Sequence, residues 1–288
     1  MPGPSTTLTA RYSVAPLYPV HTDGRLWLFE HKKPTTGDFT WGKNYQVGNG
    51  WQGRVLAGPS GYMFCITTGG ELRLLHYNGA KWDPIGGSGY AVIGQGWSYS
   101  SASTRNRISV DEDGVIYTLE PNGELKAWYY DFGTNQWAVL GALLDTGFTQ
   151  YNAIVATSRG VVYARNAAGT VYRYHIDWWT NATATWVQPT TQVTTGWQNL
   201  KNLSSPGGEV FYAVDQTSGN LLWFAYNPVT ATWVSPAGKI IGYGWNNEQD
   251  IVAQSNACSR FDWATACQST GPKDGGAVIT RLNQVKKN

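Results

Sequence analysis

Five times along the chain a glycine is followed by an aromatic ring in a setting that would suit recognition of a sugar. The fullest form, Gly-x-Gly-Trp, occurs as Gly48-Asn49-Gly50-Trp51, Gly94-Gln95-Gly96-Trp97 and Gly242-Tyr243-Gly244-Trp245. One copy keeps only Gly196-Trp197, and another reads Asp145-Thr146-Gly147-Phe148. A pyranose has one face of C–H bonds and a belt of hydroxyls, so it needs an apolar aromatic surface beside a few fixed donors and acceptors. An indole offers that surface and one N–H, while glycine lets backbone amides approach a ligand closely. Trp51, Trp97, Trp197 and Trp245 are therefore candidate carbohydrate-binding residues, with Gly50, Gly96, Gly196 and Gly244 and the intervening Asn49, Gln95 and Tyr243. A second recurring tryptophan, at Trp41, Trp82, Trp137, Trp186 and Trp233, joins the set. Packing between repeated units is the competing role for each of these rings.

Other chemistries find less support, and no catalytic residue, cofactor or metal ion is expected. A glycoside hydrolase needs two carboxylates about 5 to 9.5 Å apart. Asp111 and Asp250 are the best candidates, and neither has a partner repeated elsewhere. Asp111-Glu112-Asp113-Gly114 lacks the ligand spacing of an EF-hand loop and reads as a turn before Val115-Ile116-Tyr117. His21, His31, His76 and His175 fall at unrelated points, with no nucleophile and base in register. A net charge of +2 is too small to drive binding to a phosphate backbone, which argues against nucleic acid. No stretch approaches the roughly 20 apolar residues of a membrane-spanning helix, so no membrane insertion is expected. The first twenty residues lack the charged start and apolar run of a secretory signal. Of the three cysteines, Cys65 sits in an apolar run and is expected as a buried free thiol. Cys258 and Cys267 could be joined in an oxidising compartment or remain free.

The glycine-aromatic pairs recur with steps of 46, 51, 49 and 48 residues, the period of a structural repeat. Each copy carries the same ordered marks. An aromatic closes one strand at Tyr18, Phe64, Tyr117, Tyr163 and Tyr212, and a turn glycine follows at Gly24, Gly70, Gly123, Gly169 and Gly219. Leu26, Leu72, Leu125, Val171 and Leu221 then open the next strand. Asp23-Gly24 and Asn122-Gly123 are strong hairpin pairs. The second tryptophan comes next, then an aliphatic residue at Val47, Ile93, Leu144, Val193 or Ile241, and then the glycine-aromatic pair. A short apolar run after each pair brings the total to four strands per unit.

Four-stranded antiparallel units of nearly 50 residues predict an all-β fold, a five-bladed β-propeller. The units run approximately over 12–51, 52–97, 98–148, 149–197 and 198–245, within a domain spanning 1–257. A closing strand over 250–255 has no blade of its own, so it is expected to pair with the N-terminal blade around Leu17 to Phe29 and shut the ring, a place for which Tyr12-Ser13-Val14 could compete. Residues 258–288 lack the pattern and are expected as a C-terminal appendage, pinned if Cys258 and Cys267 are bonded.

The order of marks, ending in Ile-Gly-x-Gly-Trp, resembles the tachylectin family of five-bladed propeller lectins over about residues 12 to 255. That resemblance implies multivalent binding of N-acetylglucosamine or N-acetylgalactosamine, at shallow sites between neighbouring blades. The implied partners are glycans on cell surfaces or glycoproteins, with extracellular action. A protein-interaction scaffold is the alternative, and it would use one apolar patch on a single face rather than equivalent sites that follow the repeat.

Overall fold

A computed structural model describes residues 14–177 and 185–258, apart from the side chains of 185–189. Its β strands form five sheets, and the inner strand of each follows a glycine-aromatic pair, by three residues in four blades and by eleven in one. One sheet holds β4 (Arg54–Ala57), β5 (Tyr62–Ile66), β6 (Leu72–His76) and β7 (Ala91–Gly94). The next holds β8 (Ile108–Val110), β9 (Val115–Leu119), β10 (Leu125–Asp131) and β11 (Gln136–Asp145). The following one holds β12 (Tyr151–Ala156), β13 (Val161–Asn166), β14 (Val171–Asp177) and β15 (Thr185–Thr194). These are blades two, three and four.

Blade five contains β16 (Leu200–Ser204), β17 (Val210–Asp215) and β18 (Leu221–Asn227), and its outer strand is split into β19 (Thr232–Trp233) and β20 (Lys239–Gly242). Pro236 lies in the break, where a residue without an N–H cannot continue a ladder. Blade one combines β1 (Ala15–His21), β2 (Leu26–His31) and β3 (Trp41–Gly48) with β21 (Glu248–Ala253) from the far end of the chain. The closing pairing sets Leu17 against Ala253, Tyr18 against Val252 and Val20 against Asp250, as the orphan apolar run predicts. The innermost strands touch in the order β4, β8, β12, β16, β21 and back to β4, so the ring is shut.

Each blade is covered on both faces by its neighbours, which explains its continuous apolar runs. In β5, Met63 and Cys65 face the gap toward blade one, while Phe64 and Ile66 face blade three. The core is accordingly five apolar clusters, one in each gap between blades. Cys65 is a buried free thiol, and burial pushes it up to about 11. Cys258 is disulfide-bonded and 1 % exposed. The expected partner Cys267 and the appendage over 259–288 lie outside the described residues.

Candidate functional site

Each blade-to-blade crossing is built in the same way. The turn glycines Gly24, Gly70, Gly123, Gly169 and Gly219 have φ between +72° and +85°, which a side chain would strain. Their carbonyls accept the amides of Trp51, Trp97, Phe148, Trp197 and Trp245 at 2.9 to 3.1 Å. The aromatic residue is thus fixed to the hairpin turn of its own blade, and its ring is directed into the next gap.

The first glycine of Gly-x-Gly-Trp makes room for that ring. A Cβ on Gly48, Gly94 or Gly242 would lie 2.4 to 2.5 Å from the indole Nε1 of Trp51, Trp97 or Trp245. The copy that replaces this glycine with Asp145 also replaces the indole with Phe148, which has no nitrogen to accommodate there. Thr194 beside Trp197 breaks the correlation, and nothing in the structure explains it.

Across the gap, the second tryptophan reaches back. Indole N–H groups of Trp82, Trp137, Trp233 and Trp41 donate to the carbonyls of Val47, Ile93, Val193 and Ile241 at 2.6 to 2.7 Å. These acceptors are the aliphatic marks of the repeat. The two tryptophans also meet, with ring centroids 5.2 Å apart for Trp51–Trp82, 6.1 Å for Trp97–Trp137, 5.3 Å for Trp197–Trp233 and 5.8 Å for Trp245–Trp41. Trp186 pairs in register with Ile176, and its side chain lies outside the described residues.

The candidate residues therefore separate into floor and rim. Trp51, Trp97 and Trp245 are 8 % exposed and Trp197 is 4 % exposed, so these indoles are floor. Trp41, Trp82, Trp137 and Trp233 are half-buried walls. Asn49, Gln95 and Tyr243 stand exposed at the mouths, and Gly50, Gly96, Gly196 and Gly244 hold the left-handed turn with φ of +75° to +85°.

Among the described residues, clefts open at the mouths on either side of blade one. Between blades one and two, a cleft of about 560 Å³ is lined by Asn49, Gly50, Trp51, Trp82, Arg73 and Tyr90. Arg73 sits 4.4 Å over the Tyr90 ring and is held by Glu71. Between blades five and one, a cleft of about 360 Å³ is lined by Trp41, Tyr243, Trp245, Phe39, His21 and Glu248. Burial pushes Glu248 up to about 7, Asp23 adds to the rise, and Lys201 and Arg25 oppose it.

The two carboxylates weighed as hydrolytic candidates serve the frame. Asp111 is buried and accepts the amides of Asp113 and Val115 at 3.0 Å and the Tyr117 hydroxyl at 2.9 Å, fixing the turn between β8 and β9. Asp250, 0 % exposed, is clasped by the guanidinium groups of Arg54 and Arg105 and accepts the Val55 amide at 3.1 Å. Among the histidines, His31 bridges the Tyr212 hydroxyl and the Asp38 carbonyl at 2.8 and 2.9 Å, and burial lowers its pKa.

Reasoning from the repeat overlooked two further ring positions. Five residues after the turn glycine come Phe29, Trp128, Tyr174 and Phe224, which pack on the floor rings Trp245, Trp97, Phe148 and Trp197 at 4.8 to 5.2 Å. Seven after it come His31, Tyr77, Tyr130 and Tyr226, which meet Trp41, Trp82, Trp137 and Trp233 at 5.1 to 5.4 Å. Counting from the turn glycine rather than from the glycine-aromatic pair exposes both.

A family model described as Tachylectin matches residues 19–250. A search of curated proteins found no match. Among solved structures, a putative 6-phosphogluconolactonase from Bacteroides fragilis is 13 % identical with a TM-score of 0.41, over 94 % of this chain and 96 % of that one. Myxococcus xanthus glutaminyl cyclase is 14 % identical with a TM-score of 0.37, over 89 % and 81 %. TolB from Acinetobacter baumannii is 12 % identical with a TM-score of 0.42, over 77 % of this chain and 52 % of its own, so the chain spans about half of that protein.

Proposed function

The chain belongs to the tachylectin family, and from that premise we propose that it is a multivalent lectin and not an enzyme. The ligands are glycans bearing N-acetylglucosamine or N-acetylgalactosamine, on cell surfaces or glycoproteins, bound at shallow sites in the gaps between blades. The observation that carries this reading is the repeated crossing, in which the same floor indole, half-buried wall indole and left-handed glycine recur from gap to gap. The glycine frees backbone amides near the mouth, and an exposed residue such as Asn49 or Gln95 adds side-chain hydrogen bonding.

One shallow site should bind weakly, with a Kd near millimolar, or about 4 kcal/mol. Several such sites on a rigid ring facing a multivalent surface raise avidity by about 10² to 10⁴. Titration calorimetry with N-acetylglucosamine tests the reading by counting sites. Three or more equivalents per chain, reduced by one in Asn49→Ala, support it. Absence of heat with any N-acetylated sugar at millimolar concentration would leave the scaffold alternative in its place.

A further inference from the structure

The cleft between blades five and one holds a carboxylate at a repeat position where the other described blades carry none. Three residues after Trp245 stands Glu248, where the chain has Arg54 after Trp51, Tyr151 after Phe148 and Leu200 after Trp197. The Glu248 side chain is 7 % exposed, with Oε1 at 3.5 Å from His21 Nε2. Its Oε2 is buried without a hydrogen-bond partner among the described residues, and the side chain lines the cleft.

Around it stand five aromatic rings. Trp41 and Trp245 stack at 5.8 Å with their planes 30° apart, and Phe29 meets them at 6.0 and 5.2 Å. At the mouth Phe39 and Tyr243 meet edge to face at 5.8 Å, while remaining 56 % and 67 % exposed.

A buried carboxylate oxygen without a partner is costly, and exposed rings leave apolar area in water. One ligand class relieves both. The negative faces of aromatic rings attract a cation whose charge is spread over N-methyl groups, and an ionised carboxylate supplies the countercharge. Such a cation needs no hydrogen-bond acceptor beyond the charge of Glu248, and its methyl groups would cover the apolar faces of Phe39 and Tyr243 at the mouth. We propose that the cleft between blades five and one binds a quaternary ammonium group of the kind choline carries. This stands on the cleft itself and not on the sugar reading.

Burial, with Asp23, opposes ionisation of Glu248 and pushes it up to about 7, while Lys201 and Arg25 favour it. His21 faces the same carboxylate, its Nε2 at 3.5 Å from Oε1. Because the carboxylate must be ionised to supply the countercharge, binding strengthens as the pH rises through about 7. The charge of choline is fixed, so that dependence belongs to the protein.

The test is calorimetry on the full chain with choline and with its neutral isostere 3,3-dimethylbutanol, and with N-acetylglucosamine in parallel. One choline per chain is expected, with affinity about tenfold weaker for the isostere and for Glu248→Gln. Glu248→Gln should also flatten the pH dependence. Tyr243→Ala, an exposed position that leaves the core untouched, should weaken choline severalfold. Sedimentation with phosphatidylcholine vesicles separates a membrane headgroup from free choline as the source. An isostere that binds as tightly as choline, several cholines per chain, or no choline heat at millimolar concentration would each overturn the proposal. Sugar heat without choline heat sinks this inference alone, and choline heat without sugar heat sinks only the lectin reading.

Discussion

The cleft between blades one and two and the cleft between blades five and one share a frame and differ in chemistry. In both, a Cβ on the first glycine would fall 2.4 Å from the floor indole. In both, the wall indole donates across the gap, Trp82 to Val47 at 2.6 Å and Trp41 to Ile241 at 2.7 Å. The contents diverge at unrepeated positions. Asn49 at one mouth is Tyr243 at the other, and Arg54 in one copy is Glu248 in the next. Arg54 turns away to the buried Asp250, whereas Glu248 faces its cleft. Repetition therefore maintains the scaffold, and selectivity resides in residues that occur once.

The strongest way to break this contrast is to remove what holds Arg54 inward. Asp250→Ala leaves a guanidinium that is 5 % exposed without its countercharge, and Arg105 loses the same partner. Uncompensated buried charge costs about 3 to 5 kcal/mol, and the closing strand carries the lesion. Urea unfolding should show a loss of that size. A loss under about 1 kcal/mol would mean that Arg54 can reach solvent through the cleft, so that the two contents differ less than they look.

Glu248 sharpens the contrast through pH. Its pKa rises from an ordinary 4.5 to about 7 on folding, so the folded protein binds more protons than the unfolded chain between those values. Its contribution is fully present below about pH 4.5 and is lost as the pH climbs through 7, by up to about 3 kcal/mol. Glu248→Gln should thus stabilise the free protein at pH 8 and change little at pH 4.5. Equal effects at both pH values would show that the carboxylate is already paired. A smaller test, still of the frame, compares Gly48→Ala with Gly242→Ala. Each forces a methyl against an indole nitrogen, and each should cost about 1 to 3 kcal/mol by thermal unfolding. A twofold difference between the two would deny that the clefts share a scaffold.

How much of this could be read in the chain follows the same division. Turn glycines, inner apolar runs and the wall tryptophans recur, so comparing the chain with itself recovers the blades and the closing strand that sets Leu17 against Ala253. Asp111 to Gly114 also forms the expected turn, with Gly114 at a φ of +87°. Phe39, Tyr90 and Glu248 were not legible, because each stands where the copies disagree and comparison of repeats averages such positions away. For the floor indoles the sequence offers packing and binding side by side, and only the fold decides for burial. Sequence marks a ring that recurs, but the aromatic lid over it, Phe29 on Trp245 or Trp128 on Trp97, depends on how one blade faces the next.

The smallest effect tests whether the wall tryptophans are staples in both clefts. In Trp82→Phe and Trp41→Phe a ring remains in the wall, while the N–H that crosses the gap is lost. The carbonyls of Val47 and Ile241 then lose a donor, at a net cost of about 1 kcal/mol each. Because the two bonds join blade one to opposite neighbours and share no partner, the double variant should lose the sum of the two single losses. Urea titration of the three variants decides the matter. A double-variant loss well beyond the sum would mean that tension passes around the ring, and that the clefts answer to each other through blade one as well as repeating the same frame.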